Sequence, residues 1–155
     1  VFFMNEDTHF FYKRSRFKTK LPRNRQYLKS HFWIDREEDA EGGLKVGYTK
    51  FSVRMLGELV ESDYEVKPGD KINLGEVIGW VEGFKATTDI YSVVNGEFLG
   101  GNPAVAKDPE LFFKKPYEAG WLYRIKGDVD PESMSVEEYA SFLDKTIDRL
   151  EGAEA

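Results

Sequence analysis

The 155-residue chain contains no cysteine, which excludes disulfides, thiolate metal sites and a cysteine nucleophile. That absence permits a reducing compartment. Histidine is nearly missing as well: His9 and His31 are too few for a histidine-built metal cluster. No run of about 18 apolar residues occurs, so no transmembrane helix is expected. The glycine-bounded stretch from Gly69 to Gly75 lacks the Gly-Lys-Ser/Thr ending and the following helix of a phosphate loop. What the chain does have is apolar and aromatic bulk, 41% hydrophobic and 15% aromatic residues, which suits one globular domain with a sizeable core.

Charge is unevenly spread. The first 30 residues carry eight Lys and Arg against Glu6 and Asp7, a balance of +6. Since the whole chain is at −6, the remainder stands at −12. An acidic body repels phosphates and argues against nucleic-acid binding, while it steers the protein toward basic surfaces on partners. The basic stretch from Lys13 to Lys20 admits three readings: an ordered or floppy extension, a targeting peptide, or a nucleic-acid-binding arm. Phe2, Phe3, Phe10, Phe11 and Tyr12 form no clean signal-peptide core, which favours the extension.

Beyond the arm, residues 27–34 and 43–48 read as strands on either side of an acidic turn, Asp35 to Gly42. Thr49 is placed to cap a short helix that Gly57 ends. From Leu59 to Leu99, short apolar runs alternate with turn residues at Pro68-Gly69-Asp70, Gly75, Asn95-Gly96 and Gly100-Gly101. That spacing predicts a compact antiparallel β-sandwich or barrel. Asp108, Pro109 and Glu110 read as the start of another short helix. Ser135 and Glu138 form a capping box, and Val136, Tyr139, Leu143, Ile147 and Leu150 make one apolar stripe. This C-terminal helix is expected to pack on the sandwich.

Lys85 stands apart from the other lysines. Val77, Ile78, Trp80 and Val81 precede it, and Ile90, Tyr91, Val93 and Val94 follow. Such runs favour strands, and Gly83 with Thr87, Thr88 and Asp89 favours a connection between them. Folding the segment on itself opposes Trp80 to Ile90 and leaves Lys85 near the tip of a hairpin. A stiff hairpin with an exposed amine at its end suits attachment of a prosthetic group.

The residues Val81 to Ser92, followed by Asn95-Gly96-Glu97, resemble the lipoyl-lysine hairpin of the glycine cleavage H-protein family. There the pattern is Glu-Ser-x-Lys-Ala, an acid four residues after the lysine, then Ser-Pro-x-x-Gly-Glu. His31-Phe32-Trp33 is similar to the family's His-x-Trp opening, Val46 to Thr49 to its Val-Gly-Ile-Thr step, and Leu56-Gly57 to its Leu-Gly helix end. Gly69, Gly75, Gly79, Asn102-Pro103, Pro109 and the run from Pro116 to Leu122 complete an ordered match over about residues 21–127. Four positions depart from the pattern: Gly83 for Ser, Val93 for Pro, Asn95 for a small residue, and Glu118 for Gly.

The resemblance implies a mainly β fold with short helices. By that resemblance the fold would be a lipoyl/biotinyl-type β-sandwich (barrel-sandwich hybrid) with a lysine-bearing hairpin and a C-terminal α-helix. Residues 1–20 would be a basic, aromatic extension, 21–127 the lipoyl-carrier domain, and 128–155 a helix packed on it. Lys85 would carry lipoate as a covalent lipoyl-lysine, making the protein a non-catalytic carrier. It would shuttle an aminomethyl group from glycine decarboxylase to aminomethyltransferase, be reoxidised by dihydrolipoamide dehydrogenase, and be charged by a lipoate-attaching enzyme. A monomer in the cytoplasm (the mitochondrion in a eukaryote), with no membrane or nucleic-acid partner, follows from the same likeness. Glu82 and Asp89 match the acids around the modified lysine. They act either in recognition by those enzymes or only as solvated hairpin polarity; no nucleophile accompanies them for acid–base work. His31 reads as a packed strand residue or, less simply, as a direct participant. Two other functions stay open: an H-like lipoate-binding protein carrying sulfur intermediates in a heterodisulfide-reductase-like pathway, and an unmodified interaction module. Biotin carriage is disfavoured because Phe84 and Ala86, not methionines, flank Lys85.

Overall fold

The computed structural model describes residues 8–154; Phe2, Phe3, Glu6 and Asp7 of the N-terminal arm lie outside the described residues. Eleven strands and four helices follow one another among the described residues. A hairpin of β1 (His9–Arg14) and β2 (Phe17–Pro22) comes first, turning through Ser15 at φ 53°. Then come β3 (Arg25–Tyr27), β4 (Phe32–Asp35), β5 (Leu44–Tyr48) and helix α1 (Lys50–Leu56). The central strands are β6 (Leu59–Tyr64), β7 (Lys71–Ile72), β8 (Val77–Gly83), β9 (Thr87–Tyr91) and β10 (Val94–Gly101). Short helices α2 (Pro103–Lys107) and α3 (Glu110–Lys114), strand β11 (Tyr123–Val129) and helix α4 (Val136–Glu154) close the chain.

Two sheets face each other. The larger is ordered β3-β4-β5-β11-β10-β7, the smaller β6-β8-β9, and every pairing in both is antiparallel. Ile34, Val46, Ile72, Ile78, Val81, Ile90, Phe98 and Ile125 fill the space between them. In β4, Phe32 and Ile34 point into this core, whereas Trp33 between them points the other way. Trp33 joins a second core with Tyr12, Leu21, Tyr27, Phe51, Tyr139, Leu143 and Ile147. One edge of the large sheet is therefore covered on both faces, by the sandwich partner on one and by α4 with the N-terminal hairpin on the other.

Buried tyrosines tie the small sheet to its neighbour. The Tyr48 and Tyr123 hydroxyls donate to the carbonyls of Asp89 and Tyr91 along β9, at 3.3 and 2.8 Å. Tyr64 of β6 donates to the Leu122 carbonyl at 2.8 Å. Carbonyls at a sheet edge thus gain partners inside the fold. Burial pushes all three phenols well above their ordinary value.

Several expectations need correction. Residues 27–34 are not one strand: Leu28 to His31 form a tight turn between β3 and β4, with the His31 N–H donating to the Leu28 carbonyl at 2.9 Å. His31 sits at φ 65°, so it is a left-handed turn residue and not a strand residue. Asn95-Gly96 and Gly100-Gly101 lie within β10, where Gly96 lets the strand press against Lys126 and Gly127 of β11. Thr49 starts α1 through its backbone only, the Val53 N–H reaching its carbonyl at 3.1 Å. At the last helix the capping box forms as expected, with Ser135 and Glu138 exchanging bonds of 2.9 and 3.2 Å. Leu150 leaves the buried stripe and is 40% exposed.

Candidate functional site

The hairpin β8–β9 carries Lys85. Glu82 pairs with Thr87, and the Gly83 N–H donates to the Ala86 carbonyl at 2.8 Å, so Phe84 and Lys85 form the tip. The register opposes Trp80 to Asp89 and Gly79 to Ile90, one step from the expected Trp80–Ile90 pair. The tip sets this register: the Gly83–Ala86 bond centres the turn between Phe84 and Lys85, and a bulge between Val77 and Gly79 shifts the pairing again farther from the tip.

The tip is fastened to the end of α1. Helix termini leave carbonyls without intrahelical partners, and here the hairpin supplies them. Lys85 N–H donates to the Leu56 carbonyl and Phe84 N–H to the Glu58 carbonyl, both at 2.8 Å. The Lys85 ammonium reaches the Arg54 carbonyl at 3.4 Å. Such close contact constrains two glycines. Gly57 turns at φ 82° directly beneath Lys85, and a Cβ at Gly83 would run into the Leu56 carbonyl oxygen. The Ser-to-Gly departure at Gly83 thereby has a local steric reason.

Lys85 itself is exposed and makes no ion pair among the described residues. Phe84 beside it is 84% exposed, the most solvent-facing large apolar side chain described, and sequence reasoning assigned it no role. Glu82 is half-buried and Asp89 exposed; with Trp80 and Thr87 they share the outward face of the small sheet. No cluster of three or more metal-ligating His, Asp or Glu side chains forms among the described residues. An accessible amine on a backbone-anchored turn fits acylation by a carboxylic acid such as lipoate. A pocket beside the tip is lined by Phe17, Phe51, Ile147 and Leu150 together with Arg14, Arg16 and Arg54.

His31 lies near the base of the hairpin. Its ring packs on Phe51, Tyr139 and Phe142, and its Nδ1 is 2.7 Å from the Tyr139 hydroxyl. That hydroxyl is 2.8 Å from the Thr49 hydroxyl, which is why Thr49 does not cap α1 with its side chain. Burial holds His31 down at about 4, so the ring is neutral near pH 7 and shares a hydrogen bond with the Tyr139 hydroxyl. Its position and neighbours are those of a packing residue. The departures are divided: Gly83 and Val93 are buried, so neither presents a side chain to a partner, whereas Glu118 is exposed and lines a separate pocket with His9, Arg23 and Arg25.

With this geometry in hand, relatives can be compared. The family model described as Glycine cleavage H-protein matches residues 25–146. The chain belongs to the glycine cleavage H-protein family. The glycine cleavage system H protein of Photorhabdus laumondii is 36% identical over 130 residues, covering 82% of this chain and 98% of that protein. Its counterpart in Streptomyces avermitilis is 36% identical over 124 residues, covering 78% and 95%. The crystal structure of a glycine cleavage system H protein from Mycobacterium marinum superposes with a TM-score of 0.69 at 32% identity, covering 78% of this chain and 97% of that one. The H-protein fold, a mainly β sandwich with short helices and a terminal helix, is the fold seen here. The β1–β2 hairpin and the end of α4 lie outside the family match.

Proposed function

We propose that this chain is a lipoyl carrier of the glycine cleavage system, with lipoate bound covalently to Lys85. The observation that carries this reading is the Lys85 tip itself: an exposed amine on a turn whose backbone N–H groups are fixed to the end of α1. A rigid mount raises the effective concentration of a tethered group at a docked partner's site. When bound, lipoate supplies two sulfurs that can be reduced, loaded with an aminomethyl group and reoxidised. The protein contributes position, not catalysis. Formation of the amide would remove the charge of Nζ and leave it one N–H to donate. Glycine decarboxylase would load the carrier, aminomethyltransferase would unload it, and dihydrolipoamide dehydrogenase would reoxidise it.

Glu82 and Asp89 flank the amine on one face without ion-pair partners among the described residues, which suits recognition by the attaching enzyme or the later partners. We place it as a monomer in the cytoplasm as part of the same proposal; separately, no helix among the described residues is long and apolar enough to cross a membrane. The buried departures at Gly83 and Val93 answer to packing, so they do not call for a different cargo.

The test is intact-mass analysis and peptide mapping of protein made with lipoylation enzymes. A lipoyl increment at Lys85, lost in Lys85→Arg, is expected. The lipoylated protein should then support exchange of labelled bicarbonate into glycine with glycine decarboxylase. An increment on another lysine, or none, refutes the assignment; lipoylation without exchange refutes the aminomethyl cargo.

A further inference from the structure

The β1–β2 hairpin precedes the residues that the family model matches, and its two faces differ in kind. Five bases and no acid lie between Thr8 and Pro22. Strand alternation turns Tyr12 and Leu21 into the second core and Phe11, Lys13, Lys18 and Lys20 to solvent. Lys13 stands directly opposite Lys18, and Lys20 opposite Phe11, with its ammonium 5.2 Å from the ring centre. None of these lysines, nor Arg16 at the turn, forms an ion pair among the described residues. Like charges facing each other across a hairpin are destabilising, and a chain this rich in acids has the means to alternate the signs. The same surface runs on to the Lys85 tip: the turn from Arg14 to Phe17 lines one pocket with Arg54 and Lys85. Of the acids at this end, Asp144 and Asp148 are engaged by Arg14, Glu151 lines the pocket, and Glu82 and Asp89 lie on the small sheet.

We propose that the outward face of the β1–β2 hairpin docks an acidic surface on the enzyme that attaches lipoate to Lys85. The inference rests on the reading that Lys85 is lipoylated. To acylate Nζ that enzyme must close over the tip. An interface of ordinary size covers about 800 Å² of each partner, a disc about 16 Å in radius. Lys13 and Lys18 adjoin the turn that shares a pocket with Lys85, so such a footprint reaches them. Together with Arg16, Arg54 and Lys85 itself, they present one sign of charge to whatever covers the tip. The acidic remainder of the chain repels an acidic partner and so confines it to this face. A polynucleotide would meet that same acidic remainder along its length, which favours a compact protein surface over nucleic acid. Phe11, 49% exposed, adds an apolar contact. Acylation takes the Lys85 charge off this surface, so the modified chain is held less firmly than the unmodified one.

Attachment is followed by intact mass, with the full-length chain and the lipoate-attaching enzyme of its own source, to give KM and kcat. Lys13→Glu, Lys18→Glu and Lys20→Glu together should raise KM about 30-fold and leave kcat within about twofold, taking roughly threefold for each exposed ion pair. Arginine at the same positions should keep the wild-type KM. Lys67→Glu, Lys71→Glu and Lys107→Glu together change the net charge equally at exposed sites on other parts of the fold, and should alter KM by less than about twofold. Lys18→Glu alone separates docking from stability. It sets opposite charges across the hairpin, so the melting temperature should hold or rise while KM rises about threefold. An unchanged KM in the triple hairpin variant overturns the proposal. So does an equal effect from the other three lysines, which makes net charge the cause. Salt-sensitive binding of a random oligonucleotide, abolished by the triple hairpin variant while KM stays constant, assigns the face to nucleic acid instead. Failure of docking alone leaves Lys85 still lipoylated at saturating chain. If the wild-type chain takes up no lipoyl group, the carrier reading fails first and this partner with it.

Discussion

Acidification should destabilise this protein through His31. Burial against Phe51, Tyr139 and Phe142 lowers the ring from 6.5 to about 4, and no carboxylate among the described residues forms an ion pair with it to offset that burial. Between those two values the unfolded chain binds a proton that the folded chain refuses. Stability is therefore full above pH 6.5 and falls as the pH drops toward 4. A difference of roughly 2.5 pH units is worth about 3 kcal/mol at most. Because the ring is partly exposed, about 2 kcal/mol between pH 7 and 4.5 is the better figure. For a domain of this size that is a fall of about 6 °C in melting temperature. Urea midpoints across this pH range, with the His31 ring followed by NMR, provide the assay. Asp39 and Glu138 are held below their ordinary values by backbone hydrogen bonds, so their contributions are lost only at lower pH. The variant His31→Gln, which can still hydrogen-bond Tyr139, should flatten the dependence above pH 4.5. A His31 that titrates near 6.5, or a glutamine variant with undiminished dependence, refutes the reasoning.

Restoring serine at Gly83 should cost about 2 kcal/mol in urea denaturation, since its Cβ would overpack against the Leu56 carbonyl; an unchanged midpoint would show that the tip is not pinned. Phe84→Ala should leave the melting temperature within about 1 °C while slowing lipoylation or a partner reaction, because the ring is already 84% exposed. Glu82→Gln and Asp89→Asn should each change stability by less than about 0.5 kcal/mol and slow the same reactions; unchanged rates in both assays would reject the recognition role. A chain beginning at Leu21 should still form the sandwich, whose core contains no residue before Leu28, yet melt lower by about 3 kcal/mol through loss of Tyr12 and Phe17 packing. Failure to fold would make the hairpin part of the core.

Local chemistry explains which features were legible in the sequence. Gly57 as a helix end, the Ser135–Glu138 box and the apolar stripe of α4 depend on neighbours within one or two turns, and sequence spacing exposes those. The Lys85 hairpin was legible for the same reason. Its register was not, because whether the turn centres on Lys85 or between Phe84 and Lys85 depends on the bonds that tie the tip to Leu56 and Glu58. Asn95-Gly96 misled because the pair most typical of a turn is also what a strand needs where its neighbour comes too close for a side chain. The His31–Tyr139–Thr49 chain joins residues 108 and 90 positions apart, a distance at which spacing carries no information.

The N-terminal arm makes the same point through charge. Its basic residues suggested a segment separate from the acidic body, yet the fold sets Arg14 on Asp144 and Asp148 of α4 and buries Tyr12 among α4 side chains, with the Tyr12 hydroxyl donating to Asp144 at 2.8 Å. Exposed ion pairs of this kind contribute little individually. Buried Tyr12 and Leu21 contribute more, roughly 1.5–3 kcal/mol each. Apolar burial therefore holds the hairpin on the helix, and the charges decide where along α4 it sits. That register is what brings the Arg14-to-Phe17 turn level with Ile147 and Leu150, next to the hairpin tip whose exposed Lys85 is fixed to a helix end.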